Sequence, residues 1–339
     1  MTEMGNECVW RADELEDVRA CPICQAQAQG GYRYQQMHDL LESLPGEWAF
    51  RQCCRCESLF LDPRPNVASI QKAYSSYFTH SSGTENYVAD NGESFFWKLA
   101  NGYMNAKFGS RRSPALGMGK LLVPLIFPLR QQLDYFYRVL PRTQGRVLDI
   151  GCGNGVFLLR AKAAGWEAVG FEPDPVAAQA VRQSGFKVYE RDLGQLSNDG
   201  LFDVITLSHV IEHVHEPLLF MEQIRGLLKS GGQLWLATPN ISSPGHRWYG
   251  RSWLGLDPPR HLALFSPNAL RELLNRAGYS DIRFRCRGRG AASILRKSLE
   301  FAQKEGLNTK KLPPLFVDLM ASISPAAGEE CIVTATKQS

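Results

Sequence analysis

The stretch Val147-Leu-Asp-Ile-Gly-Cys-Gly-Asn-Gly155 decides the fold of the second half of the chain. A short apolar run leads into a turn in which every second residue is glycine, and a helical pattern follows at 155–164. Glycines permit a tight turn and let a ligand approach the backbone closely. A dinucleotide-binding turn has its third glycine one residue later and cradles a pyrophosphate. Asp149, just before this turn, suits a cationic ligand better.

The pattern on both sides of this turn predicts an α/β fold. Strand-like apolar runs alternate with helical patterns at 155–164, 175–184, 217–229 and 266–277. Strands separated by helices of this length predict a doubly wound, mostly parallel sheet, and we expect the last strand to insert antiparallel at the edge. The seven predicted strands are Val147–Ile150, Ala168–Phe171, Lys187–Tyr189, Val204–Leu207, Gln233–Ala237, Ile282–Arg285 and Cys331–Ala335.

The 339 residues divide into three regions. Residues 1–65 are rich in cysteine and end in a proline-punctuated stretch. Residues 66–144 are rich in aromatic side chains, and we predict a helical linker or lid there. Residues 145–339 form the α/β domain. The helical segments predicted for the middle region are Val67–Phe78, Phe95–Phe108 and Leu129–Leu140.

The composition excludes several classes of protein. Apolar residues make up 44% of the chain and charged residues 21%, as in soluble globular proteins. The net charge of +4 lacks the broad basic excess of a nucleic-acid enzyme, and the four arginines of 283–289 are better explained as a solvated edge. The N-terminal residues do not have the pattern of a secretory signal, and Leu116–Leu129 is too short to span a bilayer. We therefore expect a cytoplasmic protein.

Two carboxylates stand at the ends of the next two predicted strands. Glu172 ends the second strand, where a carboxylate can accept both hydroxyls of a ribose, and Asp192 follows the third. Either residue alone is as readily a helix N-cap. Three such features at three successive strand ends indicate a ligand, because ligands in these sheets bind at the carboxyl ends of the strands.

These features resemble the class I S-adenosylmethionine-dependent methyltransferases over about 145–338. The resemblance implies a Rossmann-like sheet and S-adenosylmethionine as the cofactor. In that family the glycine turn lies against the methionine part, the acid after the second strand holds the ribose, and the acid after the third meets the adenine. The implied cofactor-binding residues are Asp149, Gly151, Gly153, Gly155, Glu172, Asp192 and Leu193.

The fourth predicted strand runs into a cluster of ionisable residues. Phe202-Asp-Val-Ile-Thr-Leu-Ser-His-Val-Ile-Glu-His-Val214 resembles the small-molecule branch of that family, which includes ubiquinone-pathway O-methyltransferases. His209, Glu212 and His213 share one face if the turn is helical. A histidine there can act as a general base, or the trio can hold a divalent cation together with His261. The third alternative is that they only shape the cofactor pocket.

The segment 248–265 links the fifth strand to the next helix, and it is too long and too rich in Trp, Pro and Arg for a simple connector. We expect it to form the acceptor pocket. Arg260 can bind a carboxylate or phosphate, and Trp248, Tyr249 and Trp253 can stack on a ring. Core packing explains any one of these aromatic residues equally well.

The five cysteines between positions 21 and 56 favour metal binding in a reducing compartment. Cys21, Cys24, Cys53 and Cys56 form two Cys-x-x-Cys knuckles, and four thiolates suit structural zinc. Neither knuckle is followed by glycine. The segment from Cys21 resembles the zinc-ribbon module that precedes some methyltransferases of bacterial surface-glycan and secondary-metabolite pathways.

We therefore expect methyl transfer to a small-molecule or glycan-linked acceptor, on oxygen or nitrogen. The alternatives are an RNA or protein methyltransferase that grips its substrate with the cysteine module and the 283–289 arginines, and a non-catalytic cofactor-binding scaffold. Leu116–Leu140 is expected to be a lid over the acceptor pocket, with an interfacial helix in peripheral contact with a membrane as the alternative.

Overall fold

The computed structural model describes residues 10–28, 31–42, 44–74 and 94–338. The helix predicted at Val67–Phe78 runs past the described part. Within that part, Ile70–Tyr74 is a 3-10 helix.

The strands of the described residues fall into three sheets. In chain order they are β1 (Leu15–Glu16), β2 (Tyr32–Met37), β3 (Trp48–Gln52), β4 (Leu59–Leu61), β5 (Arg64–Pro65), β6 (Arg146–Ile150), β7 (Glu167–Phe171), β8 (Lys187–Tyr189), β9 (Phe202–Ser208), β10 (Leu228–Pro239), β11 (Ala263–Leu264), β12 (Tyr279–Arg285) and β13 (Glu330–Lys337).

The described residues also form ten α-helices. They are α1 (Phe95–Phe108), α2 (Gly119–Leu122), α3 (Phe127–Phe136), α4 (Val156–Ala163), α5 (Pro175–Gln183), α6 (Pro217–Leu227), α7 (Pro244–Tyr249), α8 (Pro267–Arg276), α9 (Ala291–Lys304) and α10 (Pro314–Ile323). No helix of the described part is both long and apolar enough to cross a bilayer.

The seven-stranded sheet has the order β12-β13-β10-β9-β6-β7-β8. The pairs from β10 through β8 are parallel, which confirms the predicted fold class, and each predicted strand lies within an observed one. The predicted place of the last strand was wrong, because β13 is antiparallel but lies between β10 and β12. Its apolar side chains explain this place, since Ile332, Val333 and Ala335 are buried as in an interior strand.

The cysteine-rich region forms one small sheet of its own, β1 with β5, and shares its larger sheet with the α/β domain. Strands β2, β3 and β4 form an antiparallel meander, and β11 from the long loop after β10 adds to its edge. The pairs are Ala263 with Phe60 and Leu264 with Leu59. Phe60 also packs in one apolar core with Leu207 of the large sheet. The expected division at residue 65 is therefore crossed by a shared sheet and a shared core.

The helices of the middle region pack against β6 and α4 in one apolar core. Helix α1 begins where Ser94 accepts a hydrogen bond from the Trp97 amide and ends at Gly109, whose φ is +76°. The rings of Phe108 and Tyr137 stack with centroids 4.5 Å apart and join this helix to the end of α3. Helices α2, α7, α9 and α10 were not predicted, whereas those following β6, β7, β9 and β11 were.

Candidate functional site

The glycine turn lies between β6 and α4 at the carboxyl edge of the sheet. Gly151, Gly153 and Gly155 all have φ between +50° and +76°, a region that L side chains rarely adopt. A Cβ at Gly151 would lie 2.6 Å from a methyl carbon of Val210, so glycine is needed there for packing. A Cβ at Gly153 would meet nothing within 4 Å. The turn therefore presents bare backbone to open space, as a closely bound ligand requires.

Glu172 supports this turn from the end of β7. Its Oε2 accepts a hydrogen bond from the Gly153 amide at 2.8 Å, and its Oε1 accepts one from the Asp174 amide at 3.1 Å. Burial raises the pKa of Glu172, while these two amides oppose the rise. The carboxylate is thus held in place against the glycine turn.

Asp149 is completely buried before the same turn. Its Oδ1 accepts hydrogen bonds from the Thr206 hydroxyl at 3.0 Å and from the Arg138 guanidinium. Its Oδ2 is buried without a hydrogen-bond partner among the described residues. Burial raises the pKa of Asp149, and Arg138 counters the shift. A buried carboxylate oxygen of this kind suits a cationic group close to the turn.

Asp192 and Leu193 lie after β8, at the same edge. Asp192 is exposed, and its Oδ1 accepts a hydrogen bond from the Gly194 amide at 2.7 Å. This bond caps the 3-10 helix Leu193–Asp199. The structure therefore places all three acidic or glycine-rich features at successive strand ends, as expected.

His209 directly follows β9 with φ +55°, and its side chain is 41% exposed. Its Nδ1 lies 3.2 Å from Glu212 Oε1, and its Nε2 lies 2.8 Å from Glu330 Oε1. Burial opposes charge on the ring, but the Glu212 carboxylate prevails and raises the pKa of His209. Carboxylates only accept hydrogen bonds, so this arrangement stabilises the protonated ring, and Nε2 can take a proton from another group only in place of its contact with Glu330.

Glu212, His213 and His261 form a tighter cluster behind His209, with ligand-type atoms within 4.8 Å of one another. We call these three residues the histidine–glutamate cluster. Glu212 is fully buried and accepts a hydrogen bond from Thr238 Oγ1 at 2.9 Å. Although burial acts in the opposite direction, His209 lowers the pKa of Glu212 to about 2. Burial and the neighbouring His261 lower the pKa of His213 to about 4.

Backbone carbonyls set the tautomers of both histidines in this cluster. His261 Nδ1 lies 2.8 Å from the Gly255 carbonyl, and His213 Nδ1 lies 3.0 Å from the Arg260 carbonyl. A carbonyl oxygen only accepts, so each Nδ1 carries a proton and Nε2 is the nitrogen open to a ligand. Metal-binding histidines commonly have this arrangement.

The structure places the expected acceptor residues in different surroundings. Arg260 is fully buried and bridges Asp39 of the cysteine-rich region to Asp257, with N–O distances of 2.6 Å. Trp253 is buried and donates to Glu329, and Tyr249 is buried with its hydroxyl accepting from the Leu312 amide. Trp248 is 48% exposed. Of the four, Trp248 alone is open to solvent in this structure.

The 283–289 arginines do not form one open stripe. Arg283 pairs with Asp281, and Arg285 donates to Thr334 Oγ1 at 3.1 Å. Arg287 pairs with Glu330 and lies 3.5 Å above the Tyr135 ring of α3. Arg287 is therefore part of the surroundings of His209, because both contact Glu330.

Sequence reasoning missed Glu330, the second carboxylate on His209. It precedes the last predicted strand, and an antiparallel strand begins at the carboxyl edge of the sheet, where the site lies. The antiparallel orientation predicted for this strand could therefore have indicated that Glu330, just before it, lies at the site. Nothing in the sequence pattern pointed to Tyr135 or Arg138 from the middle region.

The four knuckle cysteines converge as expected. Their sulfurs lie within 4.8 Å of one another, and all four side chains are buried. Cys21 Sγ lies 3.7 Å from Cys56 Sγ, and Cys24 Sγ lies 3.5 Å from Cys53 Sγ. The sulfur hydrogen bond with Cys56 lowers the pKa of Cys21 to about 5, whereas burial raises that of Cys24 to about 11.

The two knuckles have the same backbone turn despite lacking glycine. The Gln25 amide donates to the Cys21 carbonyl at 2.9 Å, and the Glu57 amide donates to the Cys53 carbonyl at 3.0 Å. Gln25 has φ +59° and Glu57 has φ +60°. Both residues therefore adopt the left-handed conformation that glycine would take more easily.

A cavity of about 210 Å³ lies where the cysteine-rich region meets the loop after β10. Buried His246 lies on its wall, with Nε2 3.0 Å from the Tyr34 hydroxyl and Nδ1 2.6 Å from the Ile241 carbonyl. The lining residues are Arg33, Tyr34, Gln52, Glu57, Leu59, Ile241, Ser242, His246, Arg247, Gly250 and Ser266.

Residues 128–283 match the model of the methyltransferase domain family. The ubiquinone biosynthesis O-methyltransferase of Cereibacter sphaeroides is 31% identical over 151 residues, which cover 40% of this chain and 61% of that protein. The protein of that name from Actinobacillus pleuropneumoniae is 34% identical over 131 residues, with 35% and 55% covered. These matches span about three fifths of the relatives' length or less. A crystal structure of an S-adenosylmethionine-dependent methyltransferase from Archaeoglobus fulgidus aligns with 22% identity, covers 63% of this chain and 94% of that one, and gives a TM-score of 0.41.

Proposed function

We propose that this chain, whose residues 128–283 match the methyltransferase domain family, transfers a methyl group from S-adenosylmethionine to oxygen or nitrogen of a small-molecule or glycan-linked acceptor. The observation that carries the proposal is His209, an exposed imidazole between two carboxylates at the strand end beside the glycine turn. The curated relatives, which are named as O-methyltransferases, support a hydroxyl as the acceptor group.

The residues at the carboxyl edge of the sheet fit the cofactor. S-adenosylmethionine supplies a methyl group already activated on a sulfonium. The open space at Gly153 leaves room beside the backbone, and the partnerless Oδ2 of buried Asp149 favours positive charge nearby. The remaining candidates for cofactor contact are Gly151, Gly155, Glu172, Asp192 and Leu193. The chain then has to align the acceptor with the methyl group and take its proton.

We assign the proton to His209. A hydroxyl acceptor must lose its proton as the new bond forms, and a base with a pKa near neutrality is effective for that step. Glu212 orients the ring through Nδ1, and the acceptor hydroxyl has to replace Glu330 at Nε2, where it gives up its proton. His213 and His261 are less exposed than His209, and we assign them to the cluster with Glu212 rather than to the proton transfer.

Calorimetric titration with S-adenosylhomocysteine tests the cofactor half of the proposal. We expect binding by the parent protein and about 10–100-fold weaker binding by Glu172→Ala, because the variant loses a charged hydrogen-bond acceptor. Glu167→Ala, on the exposed side of the same strand, is the matched control and should bind like the parent. Equal binding by both variants, or none by the parent, contradicts the proposal.

Metabolite profiling tests the acceptor half. Cells with and without the protein, grown on labelled methionine, should differ in a labelled small molecule or glycan precursor. The alternative, an RNA methyltransferase, predicts RNA binding that weakens steeply with salt. Such binding would replace the small-molecule proposal, and labelled methyl on a protein would do the same. Cofactor binding without any methylated product would favour a scaffold.

For the knuckle cysteines we propose a structural zinc ion held by Cys21, Cys24, Cys53 and Cys56. Four thiolates complete a tetrahedron and leave no open position for chemistry. The support is the convergence of the four sulfurs and the matching backbone turns on both sides. Cys54 is exposed and stands outside the set.

A second cation is our proposal for the histidine–glutamate cluster. The supporting observations are that both Nδ1 atoms face carbonyls and that one ligand-type atom of each of the three residues lies within 4.8 Å of the others. Two nitrogens and one oxygen favour zinc, iron or manganese over magnesium.

Metal analysis after loading with manganese tests this second site. We expect one metal equivalent beyond the zinc, lost in His213→Ala and kept in His246→Ala. His246 is also buried with its Nδ1 at a carbonyl, which makes it a matched control. A metal content that is the same in the parent and in His213→Ala would leave these residues a purely structural role.

The acceptor pocket remains a proposal. Trp248, Tyr249, Trp253 and Arg260 were the residues expected to form it. The buried Arg260 ion pairs instead support a role in holding the loop against the cysteine-rich region. The cavity beside His246 is an additional candidate subsite, and its two exposed arginines would favour an anionic group on the acceptor.

A further inference from the structure

Two neighbouring segments carry most of the large apolar side chains that are exposed in the described part of the chain. The first is 118–127, where Leu121, Leu125 and Phe127 are more than half exposed. The second is α10, where Leu315 is 81% and Ile323 is 77% exposed. We call the exposed apolar side chains of 118–127 and of α10 the apolar platform.

The two parts of the platform adjoin. Helix α10 turns Val317 and Ala321 inward, so its exposed apolar residues lie on the other side. Gln131 Nε2 of α3 donates to the Ser322 carbonyl of α10 at 2.9 Å. Contiguous apolar patches on soluble proteins commonly mark interaction sites.

The charges around the platform are almost all positive. Between residues 108 and 133 the charged residues are Arg111, Arg112, Lys120 and Arg130. Between 306 and 325 they are Lys310, Lys311 and Asp318. Asp318, which accepts a hydrogen bond from the Ala291 amide, is the one acidic residue of these two segments.

We propose that the apolar platform docks on the surface of a bilayer that contains anionic lipids. Apolar side chains bordered by lysine and arginine match the boundary between acyl chains and negatively charged headgroups. A second copy of the chain fits less well, because a two-fold interface would place like charges opposite one another. The platform lies on the surface, in keeping with the lack of a spanning helix among the described residues.

Helix α3 connects the platform to the site. Its first turn carries Phe127 in the platform, and its last turn carries Tyr135, over which Arg287 lies. At 1.5 Å per residue this helix spans about 15 Å. Docking would therefore bring the region of His209 close to the bilayer. That this region is a catalytic site rests on the proposed methyl transfer, whereas the docking itself does not.

Co-sedimentation of the full chain with vesicles tests the proposal without any cofactor. We expect binding to vesicles of phosphatidylcholine and phosphatidylglycerol in a ratio of about 3:1, and about tenfold weaker binding to phosphatidylcholine alone. The double variant Leu125→Glu, Leu315→Glu should weaken binding by about tenfold or more. Both side chains are largely exposed, so their replacement leaves the core unchanged.

Two further variants separate the contributions. Leu219→Glu, also exposed but on α6, should bind vesicles like the parent. Lys310→Ala with Lys311→Ala should weaken binding to the anionic vesicles only. Failure of the parent to bind either vesicle overturns the proposal, as does a dimer in sedimentation velocity that the double variant abolishes. S-adenosylhomocysteine binding, measured on the same samples, would be unaffected by such a failure and tests the methyltransferase proposal separately.

Discussion

The knuckle cysteines and the histidine–glutamate cluster both bring metal-ligand side chains together, but they differ in how completely these ligands are enclosed. The cysteine site has four sulfurs from two matching turns, all buried. The histidine–glutamate cluster has three ligand atoms and lies next to the exposed ring of His209. A complete tetrahedron stabilises a fold, whereas an incomplete set beside an accessible base suits chemistry. Ligand-type residues therefore take their role from how fully they are enclosed.

The largest expected effect comes from removing two ligands of the enclosed cysteine site. Cys21→Ser with Cys24→Ser should abolish zinc binding and lower the free energy of unfolding by at least about 5 kcal/mol, because the ion supplies folding energy to a region with a small core. The loss should spread to β11, which pairs with β4. Metal analysis and thermal denaturation measure it. Cys54→Ser is the control, and a stable double variant would show that the cysteines need no metal.

The next effect tests His209, the exposed residue beside the less enclosed histidine–glutamate cluster. His209→Ala should lower the methyl-transfer rate about 10²–10⁴-fold through loss of the base, with S-adenosylhomocysteine affinity within about twofold of the parent. His38→Ala, an exposed histidine of the cysteine-rich region, should keep full activity. Parallel losses of rate and cofactor affinity in His209→Ala would assign it to the pocket structure instead.

A pH profile sharpens the assignment further. The base must be neutral to accept a proton, and the pKa of His209 is raised. The rate should therefore fall as pH drops, with a midpoint above that of an ordinary histidine and a slope of about tenfold per pH unit below it. Glu212→Gln removes the carboxylate that raises the pKa and should move the midpoint to lower pH. A midpoint unchanged in this variant would argue that another group titrates.

The smallest effect concerns the knuckle turns. Gln25→Gly and Glu57→Gly should each raise the free energy of unfolding by about 0.5–1 kcal/mol, since glycine occupies the left-handed region without a Cβ penalty. Arg55→Gly, at a knuckle residue outside that region, should lower it. Denaturant titration of the zinc-loaded protein compares the three. If all three destabilise alike, the turn conformation does not limit stability.

Local patterns predicted much of the fold and of the candidate site. All seven strands of the large sheet were found from apolar runs, and α1 was found with its observed bounds. Helix α10 was missed because its five exposed apolar residues do not form the usual polar face of a surface helix. The predicted edge position of β13 failed because strand order depends on which neighbours bury a strand, and a single sequence does not carry that information.

The sequence by itself determined the features that depend on neighbouring residues: the alternation of strands and helices, the glycine turn, the two cysteine knuckles and the spacing of His209, Glu212 and His213. Only the tertiary structure decided which distant groups these residues meet. Glu330 reaches His209 across 121 positions, and Asp39 pairs with Arg260 across 221. Such pairs form because separate segments dock and bury charge together. Periodicity along the chain reports the face that a residue occupies, and it does not report the partner on the opposite face.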